Sequence, residues 1–329
     1  MTALAPTLEA FFTERLARQR DASPNTVAAY RDTFCLLLRF AQQSTGKLPS
    51  SLSLQDIDAP FVGAFLDYLE AGRAASVATR NARLACLHSF FRFASLRHPE
   101  NAALIQRVLA IPAKRTGRPM VSYLDAPEAD ALLAAPDLST RIGRRDRALL
   151  ALALQTGLRV SELAGLRVQD VRFGKGAHVR CTGKGRKERS TPLTAQTCAL
   201  LRGWMDESGS GPERPLFSGP AGKALSRDAI AKLVARHVAT AGELCPSIKA
   251  KKVGPHTLRH SCAMRLLEAG IDVAVIALWL GHESVRTTDI YQHANLALKE
   301  RALAKTAQPH AVRGRYKPPD SLLAFLESL

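Results

Sequence analysis

The stretch HVRCTGKGRKERSTPL, residues 178–193, decides the fold of this 329-residue chain, because it is a clear β-hairpin in a largely helical sequence. Two strand-like runs, His178 to Thr182 and Arg189 to Leu193, flank a turn at residues 183–185. Helical patterns surround the hairpin, at about 125–135, 141–156, 194–206, 226–241, 255–269, 272–280 and 287–305. This part of the chain is predicted to be mainly α with a small antiparallel β-sheet.

The sequence of the first hundred residues predicts a separate N-terminal region that is purely helical. Residues 7 to about 98 divide into four helical patterns without strand-like alternation. Ser23, Asp58 and Ser76 are predicted N-caps, because their side-chain oxygens can accept hydrogen bonds from unpaired backbone N–H groups. Along the fourth helix, apolar residues alternate with three arginines, Arg80, Arg83 and Arg92. These arginines form either a face for a DNA backbone or an ordinary solvated face.

Composition indicates where these regions meet. The stretch IPAKRTGRPMV, residues 111–121, contains proline, glycine and basic residues and is typical of a linker between domains. We expect one domain at residues 1–112, a linker at 113–122 and a second domain at 123–309. The remaining tail, residues 310–329, ends in an apolar segment, which we expect to pack against its own domain or a neighbouring protomer.

The charge of the chain indicates its partner. Lys and Arg number 46 against 29 Asp and Glu, a formal net charge of +17. Residues 1–112 hold 12 basic and 9 acidic residues, whereas residues 113–329 hold 34 and 20, so most of the excess lies after residue 112. Such an excess favours a phosphate-rich partner.

Cysteine spacing and targeting signals limit the class of protein. The six cysteines show no CxxC pair, which argues against a zinc ribbon and favours small core residues in a reducing compartment. The sequence has no signal-peptide pattern and no apolar run near the roughly 18 residues that a membrane span needs. We therefore expect a cytoplasmic protein associated with the nucleoid.

Two basic residues near the hairpin are candidates for binding phosphate. Arg159, in QTGLRVSEL, follows Gly157 and precedes a predicted helix, where its planar guanidinium can bind two phosphate oxygens. Local pairing with Glu162 is the alternative. Lys184 lies at the hairpin tip between glycines that allow close approach to a ligand, although a charged hairpin tip is also common. The Walker A pattern GxxxxGK[ST] is absent, so nucleotide binding is unsupported.

Polar residues cluster again near the end of the chain. His256 and Arg259, in HTLRHS, stand three positions apart and share a predicted helix face, so both can contact one phosphate. His256 and His260 also have the i, i+4 spacing of zinc hydrolases. The sequence HTLRH lacks the glutamate of HExxH, however, and places a cation between the imidazoles. No metal and no cofactor is expected.

His282 and Tyr291 complete the set, in LGHES and TTDIYQH. A lone tyrosine is more often a packed core residue than a nucleophile. The order and spacing of five motifs nevertheless make Tyr291 a candidate nucleophile. The motifs TGLRVSEL, TGKGRKER, HTLRHS, LGHES and TTDIYQH resemble those of the tyrosine recombinases, also called the phage-integrase family. The resemblance covers roughly residues 123–306. More loosely, the first domain resembles the family's SAM-like, core-binding DNA-binding domain.

This resemblance implies the chemistry of strand cleavage. Tyr291 is the nucleophile, which forms a 3′-phosphotyrosyl link and releases a 5′-hydroxyl without a nucleotide cofactor. Arg159 and Arg259 hold the nonbridging oxygens and offset the charge of the transition state. Lys184 is the general acid for the departing oxygen.

The histidines divide into two groups. The resemblance implies that His256 assists proton transfer at the nucleophile and that His282 hydrogen-bonds the phosphate. For His260 and His293 we expect structural roles within helices. For Glu162 we expect support of Arg159.

The resemblance further implies a site-specific DNA recombinase that acts on a double-stranded core site with inverted half-sites, as a tetramer on synapsed DNA. Companion recombinases are candidates for further partners. No arm-binding domain fits before residue 7, which favours a compact recombinase, either Xer-like or encoded by a mobile element. Because the tail at 310–329 departs from a minimal Xer protein, we favour integration, excision or transposition over Xer-type dimer resolution. Relaxation of the type IB topoisomerase kind and DNA binding without cleavage are the alternatives from other classes.

Overall fold

The computed structural model of the protein describes residues 2–117, 121–183, 187–209, 211–219 and 221–281. The chain divides into two compact units, Met1–Arg118 and Pro119–Leu329. The first unit is helical, and the second combines helices with a small antiparallel sheet, which confirms the predicted fold class. Within the described ranges, no helix has both the length and the hydropathy that a bilayer crossing requires.

In the first unit, three helices begin at the predicted caps. The described helices of this unit are α1 (Leu4–Ala10), α2 (Pro24–Thr45), α3 (Ala59–Asp67), α4 (Val77–Arg97) and α5 (Ala102–Leu109), with π-helical continuations of α1 over Phe11–Gln19 and of α3 over Tyr68–Gly72. Ser23, Asp58 and Ser76, which precede α2, α3 and α4, each accept a hydrogen bond from the backbone N–H three residues further on. Helix α5 is absent from the sequence-based prediction, because its eight residues give too short a periodic pattern.

Both alternatives for the arginines of α4, a face for DNA and a solvated face, are wrong at Arg80, which is only 6% exposed. Its Nη1 donates to the Pro112 carbonyl oxygen at 3.2 Å, and its Nε lies 3.9 Å from a carboxylate oxygen of Glu70. An arginine can be buried where such partners compensate its charge. Asn81 donates to the Lys114 carbonyl oxygen at 2.8 Å. Residues 112–114, at the start of the expected linker, therefore lie against the first unit.

The second unit surrounds the predicted hairpin with helices. Its elements are α6 (Ala126–Ala134), α7 (Arg141–Thr156), α8 (Val160–Gly165), β1 (Val171–Arg172), β2 (His178–Thr182), β3 (Glu188–Pro192), α9 (Ala195–Ser208), α10 (Arg227–Leu244), α11 (Pro255–Glu268) and α12 (Val273–Leu280). The hairpin is confirmed, with Val179 opposite Thr191 in an antiparallel pair. Strand β1 joins the other edge of β2 and is too short to be predicted. The helix predicted at 287–305 lies outside the described residues.

Helix α7 lies at the centre of this unit. Leu149, Leu150 and Leu152 are fully buried, and α7 packs against α6, α9 and α11. Every residue from Ala148 to Leu154 is buried, so the second half of α7 is held by its neighbours on all sides. The end of α7 at Gly157 is therefore a fixed point on which functional residues can be built.

The cysteines only partly match the core positions that we expect. Cys181, Cys198 and Cys262 are buried free thiols, but Cys35 is an exposed one. The neighbouring Phe34 is buried, and consecutive residues of a helix point about 100° apart. Phe34 thus occupies the core-facing position of α2, and Cys35 faces solvent.

Candidate active site

Arg159 lies at a sharp turn between α7 and α8. Helix α7 ends at Gly157, whose φ of +63° is the left-handed conformation common at helix C-termini. Arg159 caps α8, where its backbone N–H donates to Glu162 Oε2 at 2.7 Å and its Nη1 donates to Glu162 Oε1 at 3.0 Å. The Arg159 side chain is 29% exposed. Glu162 therefore orients this guanidinium, as expected, while the group keeps access to solvent.

Glu162 has a second partner, Arg189, which the sequence analysis does not single out. From β3, Arg189 Nη1 donates to Oε1 at 2.9 Å and Nη2 donates to Oε2 at 2.7 Å. Burial acts to raise the pKa of Glu162, but hydrogen bonds from Arg189 and Arg159 lower it below its usual value, so the carboxylate is charged. The sequence contained one signal that Arg189 points inward: the two-residue period of a strand places Arg189 on the same face as Thr191. Thr191 is buried.

Arg259 is held by backbone carbonyl groups. It lies on α11 and is only 4% exposed. Its Nη1 donates to the Gly157 carbonyl oxygen at 2.7 Å, and its Nη2 donates to the Leu280 carbonyl oxygen at 2.8 Å. The last carbonyls of a helix have no partner within the helix. Arg259 satisfies two of them and thereby joins the ends of α7 and α12.

The end of α12 connects the two arginines. Helix α12 terminates at Gly281, which has a φ of +65° and whose carbonyl oxygen accepts a hydrogen bond from Arg159 Nη2 at 3.2 Å. The carbonyl of the preceding residue, Leu280, binds Arg259. Arg159 and Arg259 therefore bind consecutive carbonyls and lie close together, although they are far apart in the sequence. Two neighbouring guanidinium groups can bind the oxygens of one phosphate.

The two described histidines of α11 differ in exposure. His256 is exposed and His260 is half-buried, with ring centroids 6.1 Å apart. Burial, together with the nearby His256 and Arg259, lowers the pKa of His260 to about 4. His260 is therefore neutral at physiological pH, which suits a supporting residue. His256 is accessible to a ligand.

Two thiols near this cluster are not alternative nucleophiles. Cys181 lies in β2 and Cys262 in α11. Burial raises the pKa of Cys181 to about 11 and that of Cys262 to about 12. The thiolate is the nucleophilic form of cysteine. Both groups are therefore protonated at neutral pH and serve packing.

Several predicted residues fall outside the part of the chain that the structure describes: Lys184, His282, Tyr291, His293 and the tail 310–329. The residues before Lys184 and His282 are described. A Cβ built on Gly183 would lie 3.2 Å from Arg189 Nη1 and 3.3 Å from Glu162 Oε1, and one built on Gly281 would lie 3.0 Å from Arg189 Nη1. Both glycines therefore lie against the Glu162–Arg189 pair.

Gly157→Ala should destabilise the second unit and displace Arg259. The new Cβ would lie 2.6 Å from Leu280 Cδ2, at a positive φ that side chains rarely adopt. We expect the free energy of unfolding to fall by about 2–4 kcal/mol, from backbone strain and overpacking together. Urea denaturation measures this change. Gly165→Ala is the matched control, since Gly165 has no positive φ and no atom within 4 Å of the built Cβ; equal stability of the two variants would contradict the prediction.

Comparison with sequence families gives two matches. Residues 122–297 match the Phage integrase family. Residues 10–98 match the Phage integrase, N-terminal SAM-like domain. The first match contains Arg159, Glu162, Arg189 and Arg259, so the cluster described above falls within it.

Curated relatives align over most of the chain. A Sinorhizobium fredii protein named as an integrase/recombinase, y4rC, is 54% identical over 326 residues, which cover 99% of this chain and 98% of that protein. A second protein of that organism, the integrase/recombinase y4rD, is 39% identical and covers 78% of this chain and 92% of its own length. Tyrosine recombinase XerC of Pelobacter propionicus is 33% identical over 87% of this chain and 90% of that protein.

Solved structures share the fold. XerH site-specific recombinase bound to a palindromic difH substrate has a TM-score of 0.71 at 24% identity, covering 87% of this chain and 81% of that one. The Tn1549 transposon integrase in complex with a circular intermediate DNA has a TM-score of 0.68 at 16% identity, covering 93% of this chain and 100% of that one. At these identities the likeness concerns the fold.

Proposed function

Because the chain belongs to the phage integrase family of tyrosine recombinases, we propose that it cleaves and rejoins DNA at specific sites through a covalent phosphotyrosyl intermediate. The observation that carries this proposal is the pair Arg159 and Arg259, bound to consecutive carbonyls at the end of α12. Such a pair offers positive charge and hydrogen bonds to the nonbridging oxygens of one phosphodiester. The charge on those oxygens is stabilised as the transition state forms.

In the proposed cleavage step, the Tyr291 oxygen bonds to the scissile phosphorus and the bond from phosphorus to the 5′-oxygen breaks. His256 assists removal of the phenol proton, Lys184 gives a proton to the departing 5′-oxygen, and His282 hydrogen-bonds the phosphate. Assistance is needed because a free phenol has a pKa of about 10. Attack by the 5′-hydroxyl of a partner strand on the phosphotyrosyl link rejoins the DNA and frees the tyrosine.

The proposed partner is a double-stranded core site with inverted half-sites. We assign its binding to the first domain, residues 1–112, together with the catalytic domain at 123–309. The match of residues 10–98 to the SAM-like domain and the net charge of +17 support this assignment. We further propose a tetramer on synapsed DNA, in which the tail at 310–329 packs against its own catalytic domain or a neighbouring protomer. Such a protein would work in the cytoplasm, on the nucleoid.

For the biological role we propose integration, excision or transposition of a mobile element. The higher identity to the integrase/recombinase y4rC, 54% against 33% for XerC, favours this role over Xer-type dimer resolution. The relatives y4rC and y4rD belong to one organism. This pairing supports the further proposal that the protein acts with a companion recombinase.

A plasmid that carries two direct copies of the DNA flanking this gene tests the proposal. We expect the protein to delete the segment between the copies and to leave a matched plasmid with a single copy unchanged. Relaxation of the single-copy supercoiled plasmid without deletion would favour a topoisomerase. Binding without either product, and without a covalent adduct on a nicked substrate, would favour a non-catalytic DNA-binding protein. Inverted repeats in the flanks would favour a mobile element.

A further inference from the structure

The Glu162 carboxylate lies between two guanidinium groups, and their contacts with it are unequal. Arg189 reaches both carboxylate oxygens, at 2.9 and 2.7 Å, whereas the Arg159 side chain reaches one, at 3.0 Å. The Arg189 side chain is 11% exposed and that of Arg159 is 29% exposed. Arg189 is therefore the deeper and more fully engaged partner of the carboxylate.

This inequality affects the charge that Arg159 can offer to a ligand. A buried carboxylate requires a compensating cation. A bidentate arginine–carboxylate pair is among the strongest hydrogen-bonded contacts between side chains. One negative charge between two positive ones leaves one positive charge over. Since Arg189 compensates Glu162, the remaining charge belongs to the more exposed Arg159.

We propose that Arg189 is a positioning residue for strand cleavage, which neutralises Glu162 so that Arg159 keeps its positive charge for the scissile phosphate. This inference rests on the proposed function. Without Arg189, the Glu162 carboxylate would attract Arg159 more closely and cancel its charge. The carboxylate would then compete with the phosphate for the same guanidinium.

The surroundings of Arg189 fit this role. Its guanidinium packs against Gly281, where a built Cβ would lie 3.0 Å from Nη1, and Gly281 supplies the carbonyl that binds Arg159 Nη2. Arg189 thus binds the carboxylate of Glu162 and lies beside Gly281, the two residues whose oxygens accept hydrogen bonds from the Arg159 side chain.

The test compares two suicide substrates that differ only at the scissile linkage. One carries the phosphodiester, and the other carries a methylphosphonate, in which a methyl group replaces a nonbridging oxygen and removes the negative charge. The rate of cleavage of the neutral linkage should therefore depend less on the positive charge of Arg159. The ratio of the two cleavage rates in one preparation does not depend on the folded fraction, so a purely structural role would not change it.

We expect Arg189→Gln to slow cleavage of the phosphodiester by about a hundredfold, the cost of losing one electrostatic contact to the transition state, and to slow cleavage of the methylphosphonate much less. Arg159→Gln should shift the ratio in the same direction. Arg189→Lys, which keeps the charge, should shift it less. The double variant Glu162→Gln with Arg189→Gln removes both charges and keeps an amide oxygen that can accept from Arg159, so it should recover part of the phosphodiester rate. Arg180→Gln, at an exposed position of β2, is the matched control and should leave the ratio unchanged.

Equal losses on the two substrates, or no recovery in the double variant, would overturn this inference. The proposed function fails in a different way, through the absence of any covalent adduct between the wild-type protein and the phosphodiester substrate. A wild-type adduct with a shifted ratio for Arg159→Gln, but none for Arg189→Gln, would overturn the role of Arg189 alone.

Discussion

Tyr291→Phe should abolish the covalent adduct between the protein and a nicked suicide substrate. Phenylalanine lacks the hydroxyl that would attack phosphorus, so position 291 can no longer form a phosphotyrosyl link. With the wild type, the short fragment between the cleavage site and the nick leaves with the 5′-hydroxyl that would reverse the reaction. The protein therefore stays attached to the DNA. The adduct is measured as a band of reduced mobility on a denaturing gel.

Tyr68→Phe is the matched control for this experiment. Tyr68 stacks on Phe40 in the helical unit, with ring centroids 5.0 Å apart, and removal of its hydroxyl should leave the adduct intact. DNA binding by Tyr291→Phe should also persist, because one hydroxyl contributes little to contacts dominated by phosphate charge. An adduct that survives in Tyr291→Phe would remove Tyr291 as the nucleophile.

Arg259→Lys should slow strand cleavage by about 10²–10³-fold, the cost of losing a preorganised donor at a transition state. The substitution keeps the positive charge but loses the planar fork. A single ammonium group cannot occupy the positions from which Arg259 binds the Gly157 and Leu280 carbonyl oxygens at 2.7 and 2.8 Å. The rate of adduct formation in a single turnover measures the effect.

The same change at Arg265 provides the control. Arg265 lies on the same helix, α11, and is exposed, so Arg265→Lys should cleave at nearly the wild-type rate. The free energy of unfolding of both variants distinguishes lost chemistry from lost stability. A folded Arg259→Lys protein that cleaves as fast as the Arg265→Lys protein would contradict the assigned role of Arg259.

Local signals explain why much of the fold could be predicted. The caps at Ser23, Asp58 and Ser76 depend on residues within one turn, and the hairpin depends on a short turn between two alternating runs. Arg80 shows where such signals end. Its burial depends on Glu70 and on the Pro112 carbonyl, which come together only in the folded unit.

The candidate site divides in the same way. Motif spacing indicates Arg159 and Arg259 as members of one site, but it gives no information about what holds them. Glu162 is near Arg159 in the sequence, so its support could be predicted. Arg189 acts on the same carboxylate from a separate strand, and the carbonyl groups that bind both arginines have no residue-type signature.

These carbonyl acceptors influence how the protein can change during evolution. A substitution replaces a side chain and leaves the peptide bond, so no exchange of one residue for another at position 280 can delete the acceptor that holds Arg259. Insertion or deletion of a residue in α12 is different, because it would turn the last carbonyls about 100° around the helix axis. Among descendants of this gene we therefore expect the length of α12 to be preserved more strictly than the identity of its residues.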